Sequence, residues 1–319
     1  MSSAVVITQT VPLPRWLHWW AVLTVCFTTV LLAIGAVVTT FQVGMTDPVW
    51  PTYPWHLALI NWREPQPGYI IEHTHRLAGY VVGASTIVLA VALWRSRPRH
   101  ALGWLGMLAL LGVIAQGVLG GLRVVLDQAH GTDLKMIHGS FAPLVFSLLV
   151  CLAVLTAHPW DAGGTELTGL RRWSLLTSGL VYAQLLLGGL VRHNVQAALG
   201  QRGHFLVAFL VVVAVAFLVK AVFQSTVVTR GMVTAAILLA AFVLLQVMLG
   251  IEAWLMKFGG TGLVDSRPVT IGQAIIRTAH FLLGSAIFAT SVALTLLAHL
   301  HSAPEIAVSG QVGHLEGAA

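Results

Sequence analysis

The stretch Glu72-His73-Thr74-His75-Arg76-Leu77-Ala78-Gly79 contains the residues most able to act together in chemistry. Glu72 and His75 are three residues apart, so on a helix their side chains are neighbours on one face. Gly79 follows four residues after His75 on that face and leaves a bare patch of backbone. Because the stretch opens a long apolar run, it lies where a helix would enter a membrane. A carboxylate, an imidazole and a flat gap there predict a bound cofactor with an acid beside it.

The composition predicts an integral membrane protein. Of the 319 residues, 57% are hydrophobic and only 9% are charged, whereas a soluble domain carries about 25% charged residues. The net charge of +6 does not indicate a nucleic-acid partner, because the basic residues lie between apolar runs, where topology or an anionic cofactor explains them. Cys26 and Cys151 both lie within apolar runs and predict neither a disulfide framework nor a thiolate metal site.

Several runs reach the length of about 20 apolar residues that a membrane span requires. They cover 16–38, 73–94, 102–124, 135–157, 172–192, 203–223, 232–254 and 275–299. The predicted fold is therefore an all-α integral membrane protein with eight transmembrane helices. The first run has neither a basic region before it nor a convincing cleavage site, so we expect an uncleaved helix in a prokaryotic inner membrane.

The connections between the spans predict the topology. The long connection 39–71 is rich in Trp, Tyr and Pro, and aromatic residues favour the membrane interface, so we expect it to cover one face of the protein. The second long connection, 255–274, lies on the same side. With eight spans both termini share the opposite side. The densest basic clusters lie on that side and indicate that it is cytoplasmic: Arg95, Arg97 and Arg99, and then Arg171 and Arg172.

Histidine marks an internal repeat. Four histidines recur near the start of the even-numbered spans, and each is followed four residues later by Gly or Ala. The pairs are His75 and Gly79, His138 and Ala142, His204 and Ala208, and His280 and Gly284. The odd-numbered spans carry Gln-x-x-x-Gly at Gln116–Gly120, Gln184–Gly188 and Gln246–Gly250, with a degenerate copy at Leu31–Gly35. This periodicity predicts four copies of a helix pair, or two pseudo-symmetric four-helix halves at 1–160 and 161–319.

The repeat is suited to binding haem. Imidazole is a good ligand for iron, and a small residue one turn away lets a planar macrocycle lie close to the helix. Two facing even-numbered helices in each half could then hold one haem between two axial histidines. The alternative is that each histidine is only interfacial and that the small residues only allow close packing. Four equivalent placements favour ligation.

An unpaired amide is costly in an apolar run, so we expect the glutamines to form hydrogen bonds between helices or to line the cavity.

A basic residue lies within three positions of each of these histidines. These residues are Arg76, Lys135, Arg202 and Arg277. Haem carries two propionates, and Arg in particular pairs well with carboxylates, so we predict that the four cations help to bind the cofactor. If they are removed from the topology count, the remaining basic residues favour a cytoplasmic location of the termini. The alternative is that they are ordinary cations at helix ends, with their charged groups in water.

These motifs resemble those of the haem A synthase family. Glu72–Arg76 resembles its Glu-x-x-His-Arg motif, and Gly44–Pro51 resembles its first-loop Gly-x-x-x-Pro-x-Trp-Pro region with altered spacing. The stretch from Gln184 to His193 resembles the family segment that ends in Arg-His. The likeness covers about residues 15 to 300. One departure is that many bacterial members carry a cysteine pair in the first external loop, which this chain lacks.

The resemblance implies an enzyme that oxidises the C8 methyl group of haem O to a formyl group, giving haem A. It assigns His75 and His138 in the first half to the iron of the substrate haem, and His204 and His280 in the second half to a haem b that relays electrons. Glu72 would be the catalytic acid. Its structural alternatives are a partner for Arg76 or a helix-start charge favoured by the dipole. His73 points to a different face and is not expected to be a ligand.

The resemblance also implies partners. We expect haem O synthase and the terminal oxidase assembly to interact with the protein in the membrane, with the haem sites toward the external side. A homo-oligomer is compatible with the sequence. A dihaem cytochrome b that only transfers electrons explains the histidines equally well, but gives Glu72 and the aromatic connection no special role. A transporter is a further alternative, although transporters usually have polar sites at the membrane midplane.

Overall fold

A computed structural model describes residues 13–46, 67–96, 100–157, 167–193, 197–226, 228–258 and 269–300. Within these ranges the chain forms helices only, each long and apolar enough to cross a membrane. They are α1 (Arg15–Thr40), α2 (Pro67–Arg95), α3 (His100–Val125), α4 (Asp127–Ala157), α5 (Thr168–Arg192), α6 (Ala197–Gln224), α7 (Arg230–Phe258) and α8 (Ile271–Leu300). The prediction of an all-α protein with eight spans is confirmed.

The even-numbered helices begin earlier than the apolar runs indicate. Helix α2 begins at Pro67 rather than at residue 73, and proline is well suited to the first position of a helix. Glu72 therefore lies more than one turn inside α2, and the interpretation of Glu72 as a helix-start charge is wrong. Hydropathy alone could not locate these ends, because a helix continues through polar residues that lie beyond the apolar part of the membrane.

Helix α4 changes direction near its start. His130 has non-helical torsion angles (φ −139°, ψ 20°), so a short first segment precedes the main helix. Pro143 lies inside the main helix, where it cannot donate the usual backbone hydrogen bond. The predicted span 135–157 corresponds to the part of α4 after the change of direction.

The helices contact one another in two rings. In the first bundle, α1 contacts α2, α2 contacts α3, α3 contacts α4, and α4 contacts α1. In the second bundle, α5 to α8 make the equivalent contacts. Helices α4 and α8 meet between the rings, and α1 also contacts α8. The predicted boundary at residues 160 and 161 lies outside the described residues, and the assignment of one haem to each half stays a prediction.

Apolar side chains form the core and also the outer surface. Each bundle has its own core, and a small cluster of Leu32, Phe146 and Ala289 lies between α1, α4 and α8. Large apolar side chains such as Leu111, Phe209 and Leu244 point outward and are exposed. A surface of this kind is stable against lipid rather than water.

One end of the two bundles contains the repeated histidines, and we call it the histidine end. The odd-numbered helices end there and the even-numbered helices begin there. The predicted aromatic cover belongs to this end, but its residues 47–66 lie outside the described residues, as do residues 259–268 of the second long connection.

Candidate haem and catalytic sites

The second bundle brings His204 and His280 together. The two rings lie diagonally across the bundle, on α6 and α8, with centroids 6.4 Å apart and planes at 69°. A metal-bound imidazole nitrogen lies about 2 Å from its metal, so two rings that bind one iron from opposite sides have centres about 6 Å apart. The pair is therefore spaced as bis-histidine ligation requires.

The first bundle places His75 and His138 on its own pair of diagonal helices. They lie on α2 and α4, which are diagonal in this bundle, and are within electrostatic range of each other. The Nδ1 atoms of His75, His138, His204 and His280 are all buried and have no hydrogen-bond partner among the described residues. A buried polar atom without a partner is costly, so each ring has an unused capacity for a ligand.

A glycine on the preceding helix makes room for each ring. A Cβ atom on Gly35 would lie 2.8 Å from Cε1 of His75, and the corresponding distances are 3.6 Å for Gly120 and His138, 3.2 Å for Gly188 and His204, and 3.0 Å for Gly250 and His280. The His75 ring therefore requires a glycine at position 35, Gly188 and Gly250 are tightly packed against His204 and His280, and a Cβ atom at Gly120 would make an ordinary contact. The sequence analysis found the Gln-x-x-x-Gly repeat but not its purpose.

The small residues that follow the histidines have unequal surroundings. A Cβ atom on Gly79 would meet nothing within 4 Å, which agrees with the bare patch expected beside His75. Gly284 is different, because Nε2 of Gln246 and Cδ2 of Leu185 would lie 3.2 and 3.3 Å from its Cβ. Ala142 packs against the cluster between the bundles. The open space beside Gly79 is therefore not repeated at Gly284 and Ala142.

We expect Gly35→Ala to weaken haem binding in the first bundle by roughly tenfold or more, because misplacing a ligand has effects of that size. The new methyl group must displace the His75 ring. Absorbance titration with haem in a His204→Ala background would measure binding to the first bundle alone. Gly179→Ala is the matched control, since its Cβ would meet nothing within 4 Å. Equal affinity of the two variants would show that His75 is not held by this contact.

The glutamines of the repeat form hydrogen bonds between helices, as expected. Nε2 of Gln116 donates to the backbone oxygen of His138 (3.2 Å), and Nε2 of Gln246 donates to that of His280 (3.0 Å). In the second bundle the amides also reach the rings, with Nε2 of Gln184 3.3 Å from Nε2 of His204 and Nε2 of Gln246 3.4 Å from Nε2 of His280. Helix α1 has Leu31 at the equivalent position, so His75 has no such glutamine.

We expect Gln246→Leu to weaken haem binding in the second bundle by about 10–100-fold, the usual effect of removing a group that orients a ligand. Leucine has a similar size but cannot hold the ring of His280 or its backbone. The titration is made in a His75→Ala background. Gln224→Leu, at an exposed position at the other end of α6, is the control. Wild-type affinity in Gln246→Leu would mean that packing alone orients His280.

Glu72 is buried and fully engaged. Its Oε1 atom lies 2.7 Å from Nη2 of Arg76, and its Oε2 atom accepts hydrogen bonds from the backbone N–H (2.8 Å) and hydroxyl group (3.0 Å) of Thr46. The side chain of Glu72 is only 5% exposed. The pairing with Arg76, considered above as a structural alternative, is therefore present, and the carboxylate also fastens the segment after α1 to α2.

The end of α1 explains how Thr46 reaches Glu72. The N–H of Gln42 donates to the carbonyl of Thr39 and that of Val43 to the carbonyl of Val38, which is the Schellman pattern. Gln42 has φ 56°, in the left-handed region that glycine adopts more easily. This turn reverses the chain, so that Thr46 lies against α2. Because position 42 is not a glycine, no sequence signal marks this turn.

The four predicted cofactor cations have different surroundings. Arg76 is held by Glu72, and Lys135 lies 3.5 Å from Asp127. Arg202 is exposed. Arg277 has a buried Nε atom without a hydrogen-bond partner in the described part of the chain. Binding of these four residues to propionates stays a prediction. Arg277 is the most suitable of them, because its buried Nε atom is available to a ligand.

Comparison with known proteins finds relatives of this chain. A family model described as COX15-CtaA, cytochrome oxidase assembly protein, matches residues 53–201. Heme A synthase of Lysinibacillus sphaericus is 29% identical over 187 residues, which are 56% of this chain and 59% of the relative. Heme A synthase of Listeria monocytogenes is 25% identical over 311 residues, 89% of this chain and 96% of the relative. The chain is similar to members of the haem A synthase family. These matches support the family that the motifs predicted.

The haem A synthase relatives match the chain unevenly. The alignments with Lysinibacillus sphaericus and Halalkalibacterium halodurans span only 59% and 55% of those proteins. The segment 53–201 contains Glu72, His75 and His138, and it ends before His204 and His280. The family model therefore covers Glu72 and the first pair of histidines, but neither α1 nor the second pair.

The haem A synthase family implies haem groups, and the histidines fit them. Each bundle presents two imidazoles from diagonal helices with buried, unpartnered Nδ1 atoms, and the helix beside each ring has a glycine that accommodates it. The open space at Gly79 leaves room beside His75. His73, in contrast, is fully buried and stacks on Tyr69 with centroids 5.6 Å apart.

Sequence reasoning missed three residues near the two pairs of histidines. Arg123 at the end of α3 lies within electrostatic range of His75 and His138. Arg192 at the end of α5 lies within range of His280, and His193 follows it. Burial, followed by Arg192, Arg123 and two lysines, lowers the pKa of His193 to about 4, so its ring is neutral at pH 7. The Arg-His ending of the fifth-span motif was the available signal.

Proposed function

We propose that this protein is a haem A synthase that oxidises the C8 methyl group of haem O to a formyl group by successive hydroxylations. The observation that carries the proposal is an asymmetry. Both bundles present a pair of diagonal histidines, but among the described residues only the first has a buried carboxylate, Glu72, on the same helix as one of them. The relatives named Heme A synthase support this reaction class. Haem bound in the second bundle would supply electron transfer.

The first bundle would bind the substrate through its own side chains. His75 and His138 would hold the haem O iron, and Gly79 would leave space for the macrocycle. Glu72 lies three residues from His75, on the same face of α2. Each of two hydroxylations would replace a C–H bond of the methyl carbon by a C–OH bond, with an oxygen-derived oxidant from outside the protein taking up two electrons. The resulting gem-diol would lose water to become the aldehyde. Glu72 would accept or return protons in these steps, as positioned carboxylates do, while Thr46 and Arg76 hold its two oxygens.

The second bundle would hold haem b between His204 and His280, and haem b would relay electrons between the first bundle and an external redox partner. The two glutamines that contact these rings suit a cofactor that remains bound. We further propose that the termini face the cytoplasm and the histidine end faces outward in a bacterial inner membrane. Haem O synthase would deliver the substrate, and a terminal oxidase assembly would receive the product.

Expression in a host that makes haem O but not haem A tests the proposal. Membranes with and without the protein are extracted, and the pigments are separated and identified by mass spectrometry. Formyl haem, with the hydroxymethyl intermediate, is expected only when the protein is present. A purified protein that contains haem in both bundles but forms neither product would contradict the proposal and favour a dihaem cytochrome b that only transfers electrons.

A further inference from the structure

Arg123, Arg192 and His193 form a group that neither the repeat nor the predicted cofactor cations include. Arg123 belongs to the first bundle, whereas Arg192 and His193 belong to the second. His193 is within electrostatic range of both arginines and also of Lys135 and Lys257. The group therefore lies at the junction of the two bundles at the histidine end.

Arg123 is directed toward the first pair of histidines. It is within electrostatic range of His75 and of His138. Its guanidinium group lies against Gly44, where any Cβ atom would collide with it. Its buried Nε atom has no hydrogen-bond partner among the described residues. The segment after α1 thus fixes a guanidinium group beside the first site without satisfying its donors.

Arg192 is directed toward the second pair and also reaches the first bundle. Its Nη2 atom donates to the backbone oxygen of Ala36 in α1 (2.8 Å), and its guanidinium carbon lies 5.1 Å from the ring centroid of Phe281. Phe281 follows His280 directly. Arg192 is also within electrostatic range of His280 and of a further cation, Arg277.

Neither arginine forms an ion pair with a carboxylate in the described ranges, although Arg123 is within electrostatic range of Glu72 and Asp127. Glu72 is engaged by Arg76 and Thr46, and Asp127 lies 3.5 Å from Lys135. Arg192 uses only a backbone oxygen and an aromatic ring. Cations within the span of a membrane are costly unless a counter-charge compensates them. A group of cations around a neutral imidazole is therefore complementary to bound anions.

We propose that Arg123, Arg192 and His193 form one anion site shared by both bundles, and that its ligands are the propionate carboxylates of the haem groups on either side. The proposal rests on the proposed function in that haem is the bound group. Arg123 binds a propionate of the haem in the first bundle, and Arg192 binds a propionate of the haem in the second. His193, as a neutral donor, bridges them. Loss of one arginine therefore weakens binding of carboxylate-bearing haem specifically.

The test compares haem b with its dimethyl ester, in which both propionates are uncharged. Each is titrated by absorbance into the ligand-free protein in a His75→Ala background, in nanodiscs of neutral phosphatidylcholine. The wild-type junction is expected to prefer haem b by about 10–100-fold, the usual strength of hydrogen bonds to charged groups. Arg192→Gln is expected to lose most of this preference while it binds the ester unchanged. Unchanged ester binding also shows that the variant is folded.

Arg171→Gln is the matched control. Arg171 lies at the other end of α5, and its Nε atom likewise donates to a backbone oxygen of a neighbouring helix, that of Ala298 (2.9 Å). The control is expected to keep the preference for haem b, and Arg192→Lys is expected to keep part of it. A wild-type protein that binds haem b and the ester equally, or an Arg192→Gln variant that retains the preference, would overturn the proposal.

A further arm distinguishes propionates from lipid phosphate. The titrations are repeated in nanodiscs that contain anionic phosphatidylglycerol, and retained lipid is quantified by mass spectrometry. If Arg192→Gln loses bound phosphatidylglycerol but keeps its preference for haem b, the site belongs to lipid and the assignment is wrong. Because no step measures haem O oxidation, failure here is distinct from failure of the proposed function.

Discussion

Glu72→Gln is expected to lower the rate of haem O oxidation by roughly 10²–10⁴-fold, the contribution typical of a positioned acid or base, while haem remains bound. Glutamine keeps the size of the side chain and can still accept the hydrogen bonds from Thr46, but it cannot exchange a proton. The rate is measured from the formation of hydroxymethyl and formyl haem. Glu252→Gln, which changes an exposed acid near the same end of the protein, is expected to have no effect.

The same substitution also removes the charge that compensates Arg76, so a structural effect must be separated from a chemical one. Breaking a buried ion pair by removing one partner costs about 3–5 kcal/mol, whereas replacing both partners is often neutral. The double variant Glu72→Gln, Arg76→Gln is therefore expected to regain thermal stability and remain inactive. Recovery of activity together with stability would show that Glu72 acts only as the partner of Arg76.

His280→Ala is expected to weaken haem binding in the second bundle by at least about 100-fold, the upper range for loss of a group that merely orients a ligand. The haem content of the purified protein should fall by the amount of haem that the second bundle binds. On the proposed function, haem O should no longer be oxidised, because the electron relay is missing. Added imidazole should enter the space left by the ring and restore the absorption of a bis-imidazole haem.

His299→Ala is the control for this experiment, because His299 lies on the same helix at the opposite end and is exposed. Its haem content is expected to equal that of the wild type. An unchanged haem content in His280→Ala would remove His280 from the ligand set. A loss that imidazole does not reverse, together with a lower melting temperature, would indicate a role in folding instead.

The repeat of His75, His138, His204 and His280 was visible in the sequence because each copy recurs near the start of an apolar run. The number of helices was predictable for the same reason. The need for glycine at positions 35 and 250 was not predictable. It depends on how each helix is rotated against the next, and hydropathy does not reveal this rotation in a protein that faces lipid. The contact between Glu72 and Thr46 depends on a left-handed Gln42 that no turn signal marked.

The cations near the sites were only partly predictable from the sequence. Arg76 and Lys135 were predicted to bind the cofactor because they are close to histidines in the sequence, yet each lies beside an acidic residue. Arg123 and Arg192 are far from any repeated histidine along the chain but close to His138 and His280 in space. Sequence distance fails here because the end of an odd-numbered helix lies beside the start of an even-numbered one.

The leucine at position 31 has a consequence for turnover. A synthase must release its product after each cycle, whereas a relay haem must stay for the life of the protein. His204 and His280 each have a glutamine amide near the ring, while α1 has Leu31 at the equivalent position, which has no amide to offer His75. On the proposed function, the haem of the first bundle therefore has the shorter residence time, so one repeated scaffold provides an exchangeable site and a permanent one.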